Sequence, residues 1–321
     1  FKMSLLSVCK KPPFVFKLFD RFSPGQTLSV GYYSPHPGRN RDFMLNNVAL
    51  QELTLGDLTL EGYSRAAVQS YWRIPELKIG FDLGAQPWDF MGTATWFVSH
   101  THLDHIAALP VYIARRRMMK MSPPRIFLPE HAIDPTRDML RAFSRLDRGR
   151  LPCDLVPVTA GQEIELSREL VVTVHATTHT VPSVGYLVWE RRQKLKQEYQ
   201  GLGGEEIRAH REAGRQISEE KRLPLVGYLG DSSPSGLDQN PEFYEARYLI
   251  SEMTFVAAGH RKEKIHKHGH MHLDDYIERA DLFKNKKVIV GHFSTRYSRQ
   301  QIINIVKKSL PGMLDGRLHL W

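Results

Sequence analysis

His100-Thr101-His102-Leu103-Asp104-His105 places three imidazoles and a carboxylate within six residues. On an extended segment alternate side chains share a face, so His100 and His102 can hold one ion. Asp104 and His105 open a helix and can reach a second ion beside the first. Imidazole with carboxylate is a donor set for zinc, or for manganese where carboxylates and water predominate. A histidine-rich surface loop is the plainer alternative. Yet Phe97-Val98 precede the segment and Ile106-Ala107-Ala108-Leu109 follow it, anchoring it in a core at both ends. Three imidazoles and an aspartate buried there without a metal would be costly.

Working outward, residues 95–99 read as a short buried strand that feeds the cluster, and residues 53–63, 68–74 and 77–84 read as earlier strands. After the cluster, Ile106, Leu109, Ile113 and Met118 are spaced as on one helix face, with Arg115, Arg116 and Arg117 at its end. Pro110 sits early enough in that helix to be tolerated. Further strands are expected at 125–128, 170–177, 185–189, 226–229, 248–252 and 287–291, with a helix at 273–283. Strands early and late, with helices dispersed between them, predict an α/β sandwich of two packed sheets covered by helices. Three of the strands end on a lone polar residue: His179, Asp231 and His292. Strand ends are where such sheets present functional groups, so these three are further ligand candidates.

Residues 1–45, with Pro24-Gly25 and a Pro- and Gly-containing stretch after Tyr32, read as an N-terminal extension to which no role is assigned. Residues 46–321 read as the domain. Within it, residues 190–223 are polar and mostly helix-friendly, have Gly201, Gly203 and Gly204 in their middle, and look like an excursion from the core. Four cations in six residues, Arg191, Arg192, Lys194 and Lys196, could grip phosphates there. Arg115 to Arg117 and Lys120 are candidates to extend that surface.

Composition is that of an ordinary globular protein: 41% hydrophobic and 25% charged residues support a sizeable core. An excess of 44 Lys and Arg over 35 Asp and Glu favours a polyanionic partner, of which nucleic acid is the commonest. Two cysteines exclude a disulfide framework and a Cys-rich zinc site, and favour a reducing compartment. No apolar run approaches the roughly 18–20 residues of a membrane span, so no membrane partner is expected. The run at 3–8 is too short for a signal-peptide core. The expected location is cytoplasmic, or nuclear or organellar in a eukaryote.

His-x-His-x-Asp-His followed by a distant His, an Asp and a final His resembles the metallo-β-lactamase superfamily. Within it the sequence resembles ribonuclease Z, the tRNA 3′-processing endonucleases, over residues 59–317. Gly291-His292-Phe293-Ser294-Thr295-Arg296-Tyr297 is similar to that family's His-Phe-Ser-x-Arg-Tyr signature. Ser251-Glu252-Met253-Thr254-Phe255 is similar to its Glu-Ala-Thr box, and His268-Gly269-His270-Met271-His272 to its His-Ser-Thr box. The resemblance implies an αββα sandwich with a short protruding arm at 190–223, a homodimer, and precursor tRNA as substrate. It implies two Zn2+ per subunit, or Mn2+ in their place. His100, His102 and His179 would hold one ion, Asp104, His105 and His292 the other, and Asp231 would bridge them. A water or hydroxide between the ions would attack, oriented and deprotonated by Asp104, while His270, paired with Glu252, would protonate or stabilise the leaving 3′ oxygen. Arg296 would contact substrate along with the arm cations.

Met253, Met271 and His272 depart from the family's boxes, and its Pro-x-Lys-x-Arg-Asn loop has only Gly62-Tyr63-Ser64-Arg65-Ala66-Ala67 in its place. Two rivals stand beside this reading: a metal-dependent phosphodiesterase or other small-molecule hydrolase on the same site, and a non-catalytic RNA-binding protein. A small substrate needs neither a basic arm nor the Arg296-Tyr297 pair, and a degenerate site would not fill all seven ligand positions.

Overall fold

Leu55-Gly56-Asp57-Leu58 carries a two-residue turn signal, and in the computed structural model, which describes residues 49–321, a hairpin closes there. Gly56 takes the positive φ of 68° that the turn needs. The single strand expected at 53–63 is therefore two, β1 (Gln51–Leu55) and β2 (Leu58–Arg65). They are followed across the same sheet by β3 (Gln69–Ile74), β4 (Ile79–Leu83), β5 (Thr95–Phe97), β6 (Arg125–Pro129) and β7 (Asp154–Val158), in that order. Pairing is antiparallel from β1 to β4 and parallel from β4 to β7.

The second sheet runs β8 (Glu163–Glu165), β9 (Leu170–Ala176), β10 (Val184–Leu195), β11 (Ser218–Tyr228), β12 (Tyr248–Glu252), β13 (Lys287–Gly291) and β14 (Leu318–Leu320). From β8 to β11 it is antiparallel, and from β11 to β14 parallel.

Alternation along the strands divides the core into layers. Phe97 points between the sheets, where its ring lies 5.0 Å from that of Tyr186, and Phe81 meets Tyr228 at 4.7 Å. Its neighbour Trp96 points outward and packs on Tyr112 of the helix Leu109–Met118. On the far face Leu249, Val288 and Val290 are covered by Tyr276, Ile302 and Val306 from the helices Leu273–Glu278 and Arg299–Ser309. The αββα layering expected from the sequence is the observed one. Truncating Phe97 to Ala would cost about 3–5 kcal/mol and loosen the strand that delivers the histidine cluster.

Several local expectations need correction. Met118 is 66% exposed: the chain breaks between a short helix Leu103–Ile106 and Leu109–Met118, which rotates the later residue off the buried face. The helix expected at 273–283 stops at Glu278 and continues as one 3-10 turn, Ala280–Leu282. A 15-residue helix, Ile133–Asp147, was not anticipated, because its Arg- and Asp-rich surface dilutes the apolar stripe. The helix-friendly stretch at 190–223 is mainly a strand pair, the far ends of β10 and β11, enclosing the helix Gly204–Glu212. Residues 1–45, and Cys9 with them, lie outside the described residues, among which Cys153 is a free cysteine. Among the described residues no helix is long and apolar enough to cross a membrane.

Candidate metal centre

The site forms where both sheets end on the same side. From the first sheet, β4 supplies Asp82 and β5 runs into His100, His102, Asp104 and His105. From the second, β9 is followed by His179, β11 by Asp231 and β13 by His292, while β12 ends on Glu252. All seven ligand candidates named from the sequence come together in two groups, His100–His102–His179 and Asp104–His105–His292, with Asp231 against His100 and His105.

The donor chemistry fits metal ions. His102 Nδ1 lies 3.2 Å from His100 Nε2 and 3.0 Å from His179 Nε2. His105 Nε2 lies 3.3 Å from His292 Nε2. The opposite ring nitrogens are already committed. His105 Nδ1 donates to Asp82 Oδ2 at 2.6 Å, and His179 Nδ1 to the Gly269 carbonyl at 2.9 Å. His100 Nδ1 meets Ser99 Oγ at 3.0 Å, and His292 Nδ1 meets Thr254 Oγ1 at 3.1 Å. Those bonds orient His100, His105, His179 and His292 with Nε2 turned inward, where a cation would be the natural partner. Asp231 Oδ2 stands between the groups, 3.2, 3.5, 3.8 and 3.9 Å from the Nε2 atoms of His292, His105, His100 and His179. One carboxylate oxygen shared by four imidazoles is placed to bridge.

Burial, with His105 next, pushes His100 well below the ordinary histidine range, and burial lowers His179 as well. Burial also opposes charge on His105, yet Asp231 and Asp82 hold it well above. Burial would raise Asp231, but His292 and His105 hold its carboxyl well below the usual range. The same contest at Asp104 ends at about 2, through burial opposed by His292 and His105.

Several supports escaped the sequence reading. Asp82 is fully buried and accepts from Ser99 N–H at 2.7 Å, Ser99 Oγ at 2.9 Å, His105 and the Tyr228 hydroxyl. Its signal was an aspartate inside the apolar run Ile79 to Leu83. Gly269 is required by close approach: a Cβ there would lie 2.3 Å from His179 Cα. The loop at 62–67 does reach the site, for Ala67 N–H donates to Asp104 Oδ2 at 2.9 Å.

Beside the ligands, His270 Nδ1 donates to Glu252 Oε1 at 2.9 Å. The Ser232 and Thr254 amides and the Thr254 hydroxyl fill the rest of that carboxylate. Burial works against charge on His270, but Glu252 outweighs it and lifts the imidazole to about 9. Arg296 lines a 660 Å3 cavity that opens on His102, His179 and His270. The arm cations stand elsewhere, on the β10–β11 extension. Arg191 is tied to Glu165 at 2.5 Å and Arg192 to Glu190 at 2.5 Å, whereas Lys194 and Lys196 have no ion pair among the described residues. Of the cations at the end of the helix Leu109–Met118, Arg116 and Arg117 are engaged within the protein, while Lys120 is exposed. Arg115 bonds Gln86, Arg116 is buried on the Met91 and Ser122 carbonyls, and Arg117 pairs with Asp147 at 2.9 Å.

Fold and donor set together define a metallohydrolase of the metallo-β-lactamase fold. A solved structure of that fold, YhfI from Bacillus subtilis, superposes with a TM-score of 0.55 at 15% identity, covering 85% of this chain and 96% of that one. No protein-family model matches the sequence. Curated relatives do: tRNase Z TRZ1 of Arabidopsis thaliana is 33% identical over 261 residues, 81% of this chain and 93% of that one. The chloroplastic tRNase Z TRZ2 of the same plant is 32% identical over 256 residues, 79% of this chain and 72% of that one. The chain belongs to the ribonuclease Z family, whose members are metal-dependent phosphodiester hydrolases.

Proposed function

We propose that this protein is an endoribonuclease that removes the 3′ trailer from precursor tRNA, cutting beside the discriminator nucleotide and leaving a 3′-hydroxyl on the tRNA. The observation that carries this reading is the shared oxygen of Asp231 between two imidazole-rich groups, set in a chain of the ribonuclease Z family. His100, His102 and His179 would hold one zinc, Asp104, His105 and His292 a second, with Asp231 common to both; manganese suits the same donors. Bound zinc supplies Lewis acidity, which makes water a nucleophile at neutral pH.

The chain's own groups do the rest. Asp104, pinned by the Ala67 amide, orients the attacking water and accepts its proton. Glu252 occupies His270 Nδ1 and leaves Nε2 to carry a proton to the departing 3′ oxygen. The β10–β11 arm, through Lys194 and Lys196 above all, holds the phosphates of the folded RNA outside the active site. Within a homodimer the arm of one subunit would serve the other. Residues 46–321 act as the hydrolase domain with 190–223 as its arm, and the setting is cytoplasmic, or nuclear or organellar in a eukaryote; the name of the chloroplastic relative supports the last.

The test is to incubate purified protein with a precursor carrying a 3′ trailer and added zinc or manganese, and to map the new ends. A single cut beside the discriminator, absent in Asp104→Ala, is expected. An intact precursor together with hydrolysis of a chromogenic phosphodiester would favour the small-molecule hydrolase instead.

A further inference from the structure

The 660 Å3 cavity beside the metal centre has a composition the metal chemistry does not require. It is walled on one side by His102, His179 and His270, and on the other by Phe255, His260, Arg261, Lys264 and Arg296. No acidic residue lines it, and Arg261, Lys264 and Arg296 have no ion pair among the described residues. Such uncompensated positive charge beside a phosphodiester site suits phosphates.

The aromatic half is built rather than incidental. Phe255 is half-buried, with the His260 ring 5.2 Å away and the Arg296 guanidinium 5.9 Å over its face. Its backbone is pinned on both sides, the amide donating to the Met271 carbonyl at 3.2 Å and the carbonyl accepting from Leu273 at 2.8 Å. His260 is fixed in turn, with Nε2 3.0 Å from the Tyr297 hydroxyl. Flat rings held beside free cations form a stacking platform with phosphate contacts, the way proteins hold single-stranded nucleotides. The volume lies within the range of small-molecule sites, sufficient for one nucleotide.

Resting on the ribonuclease reading above, we propose that this cavity seats the nucleotide bearing the leaving 3′ oxygen, with its base on Phe255 and His260 and its 5′ phosphate on Lys264 and Arg261. The side follows from the geometry of in-line displacement, which puts nucleophile and leaving oxygen on opposite sides of phosphorus. Asp104, assigned to the nucleophile, belongs to the other ligand group, while His270, assigned to the leaving oxygen, is part of the cavity wall. Stacking is blind to base identity, because every base has a π face, so the site tolerates any base at this position but not its absence.

The experiment compares an intact precursor with one that is abasic at the nucleotide 5′ of the cut, on wild type and on Phe255→Leu. Loss of the base is expected to lower kcat/KM of the wild type by about 5- to 150-fold, the range of one base–aromatic stack. Phe255→Leu should lose a similar factor on intact precursor and little more on the abasic one, with metal content confirming that the centre is assembled. If the two losses multiply, the ring does not touch that base and the proposal falls, while the ribonuclease reading survives. A wild type that cuts neither precursor overturns both. Lys264 is exposed, so Lys264→Ala should fold normally. It should flatten the salt dependence of precursor binding by about one unit of slope, and an unchanged slope would remove the phosphate contact.

Discussion

Asp82 Oδ2 accepts the Nδ1 proton of His105 at 2.6 Å, and both side chains are fully buried. Asp82 adopts a left-handed backbone, φ 53°, a conformation that costs a non-glycine residue roughly 1–2 kcal/mol. Four donors compensate: the Ser99 amide and hydroxyl, the Tyr228 hydroxyl and His105. The bond orients His105 with Nε2 toward His292, and it ties the end of β4 to the ligand segment that follows β5.

Asp82→Asn is therefore expected to weaken metal binding although Asp82 is not itself one of the ligand candidates. Only one of its two terminal atoms can then accept, so either His105 or Ser99 loses its partner. Affinity for the ion proposed at the His105 group should fall about 10- to 100-fold, the usual cost of removing an outer partner of a metal-bound histidine. Competition with a graded series of chelators measures it; an unchanged affinity would show that His105 needs no orienter.

How much of this was legible in advance follows from the kind of signal each residue carried. The ligands were readable because six residues after an apolar strand concentrate four of them, and His179, Asp231 and His292 come just past the ends of three more apolar runs. Asp82 sat inside such a run, where the same apolar neighbours suggested only a strand. Thr254 and Ser99 act through hydroxyls that any loop carries, and only the fold shows that they face His292 and His100. The arm was misread in shape because Arg, Lys, Gln and Glu favour helices in isolation. Cross-strand pairing overrides that propensity: Lys194 stands opposite Glu219, and Arg222 bonds Glu163 on β8. Arg116 was taken for surface because arginine usually is, whereas here three backbone carbonyl contacts hold it in the core.

Removal of metal should both inactivate and destabilise the protein. The ligand groups place ring nitrogens about 3 Å apart, so the folded state gains whatever the ions bind with. At a free metal concentration 100 times the dissociation constant that is about 2.7 kcal/mol, or about 5–10 °C in Tm for a domain of this size. Scanning calorimetry before and after chelation reads the shift, and readdition of zinc should restore it. Equal Tm values with and without metal would mean that the centre is not loaded in the folded protein.

The pairing of His270 with Glu252 gives the rate a pH dependence of definite sign. As the proposed acid, His270 would hold activity below its pKa, and activity would be lost as pH rises through it. Glu252 lifts that pKa to about 9, and bound cations nearby lower it, which places the alkaline limb between about 6.5 and 9. Glu252→Gln removes the charge that supports the proton. The limb should then move down by about one unit or more, and kcat should fall most above neutrality. A kcat–pH profile of the variant that overlays the wild type would exclude His270 as the acid.

The two halves of the arm's basic cluster should behave differently. Arg191 and Arg192 are engaged with Glu165, Glu220 and Glu190 and brace the root of the β10–β11 pair. Lys194 and Lys196, without ion pairs among the described residues, can meet phosphate without first breaking a contact. Changing both lysines to alanine should weaken precursor binding and lower the slope of log affinity against log salt by about two, with Tm nearly unchanged. Arg191→Ala should instead lower Tm, because it leaves Glu165 without its cation, whereas Glu220 keeps Arg222 at 2.7 Å. Filter binding across a salt series, run beside a thermal melt, separates the two. If the double lysine variant keeps the wild-type slope, the RNA does not lie along this arm.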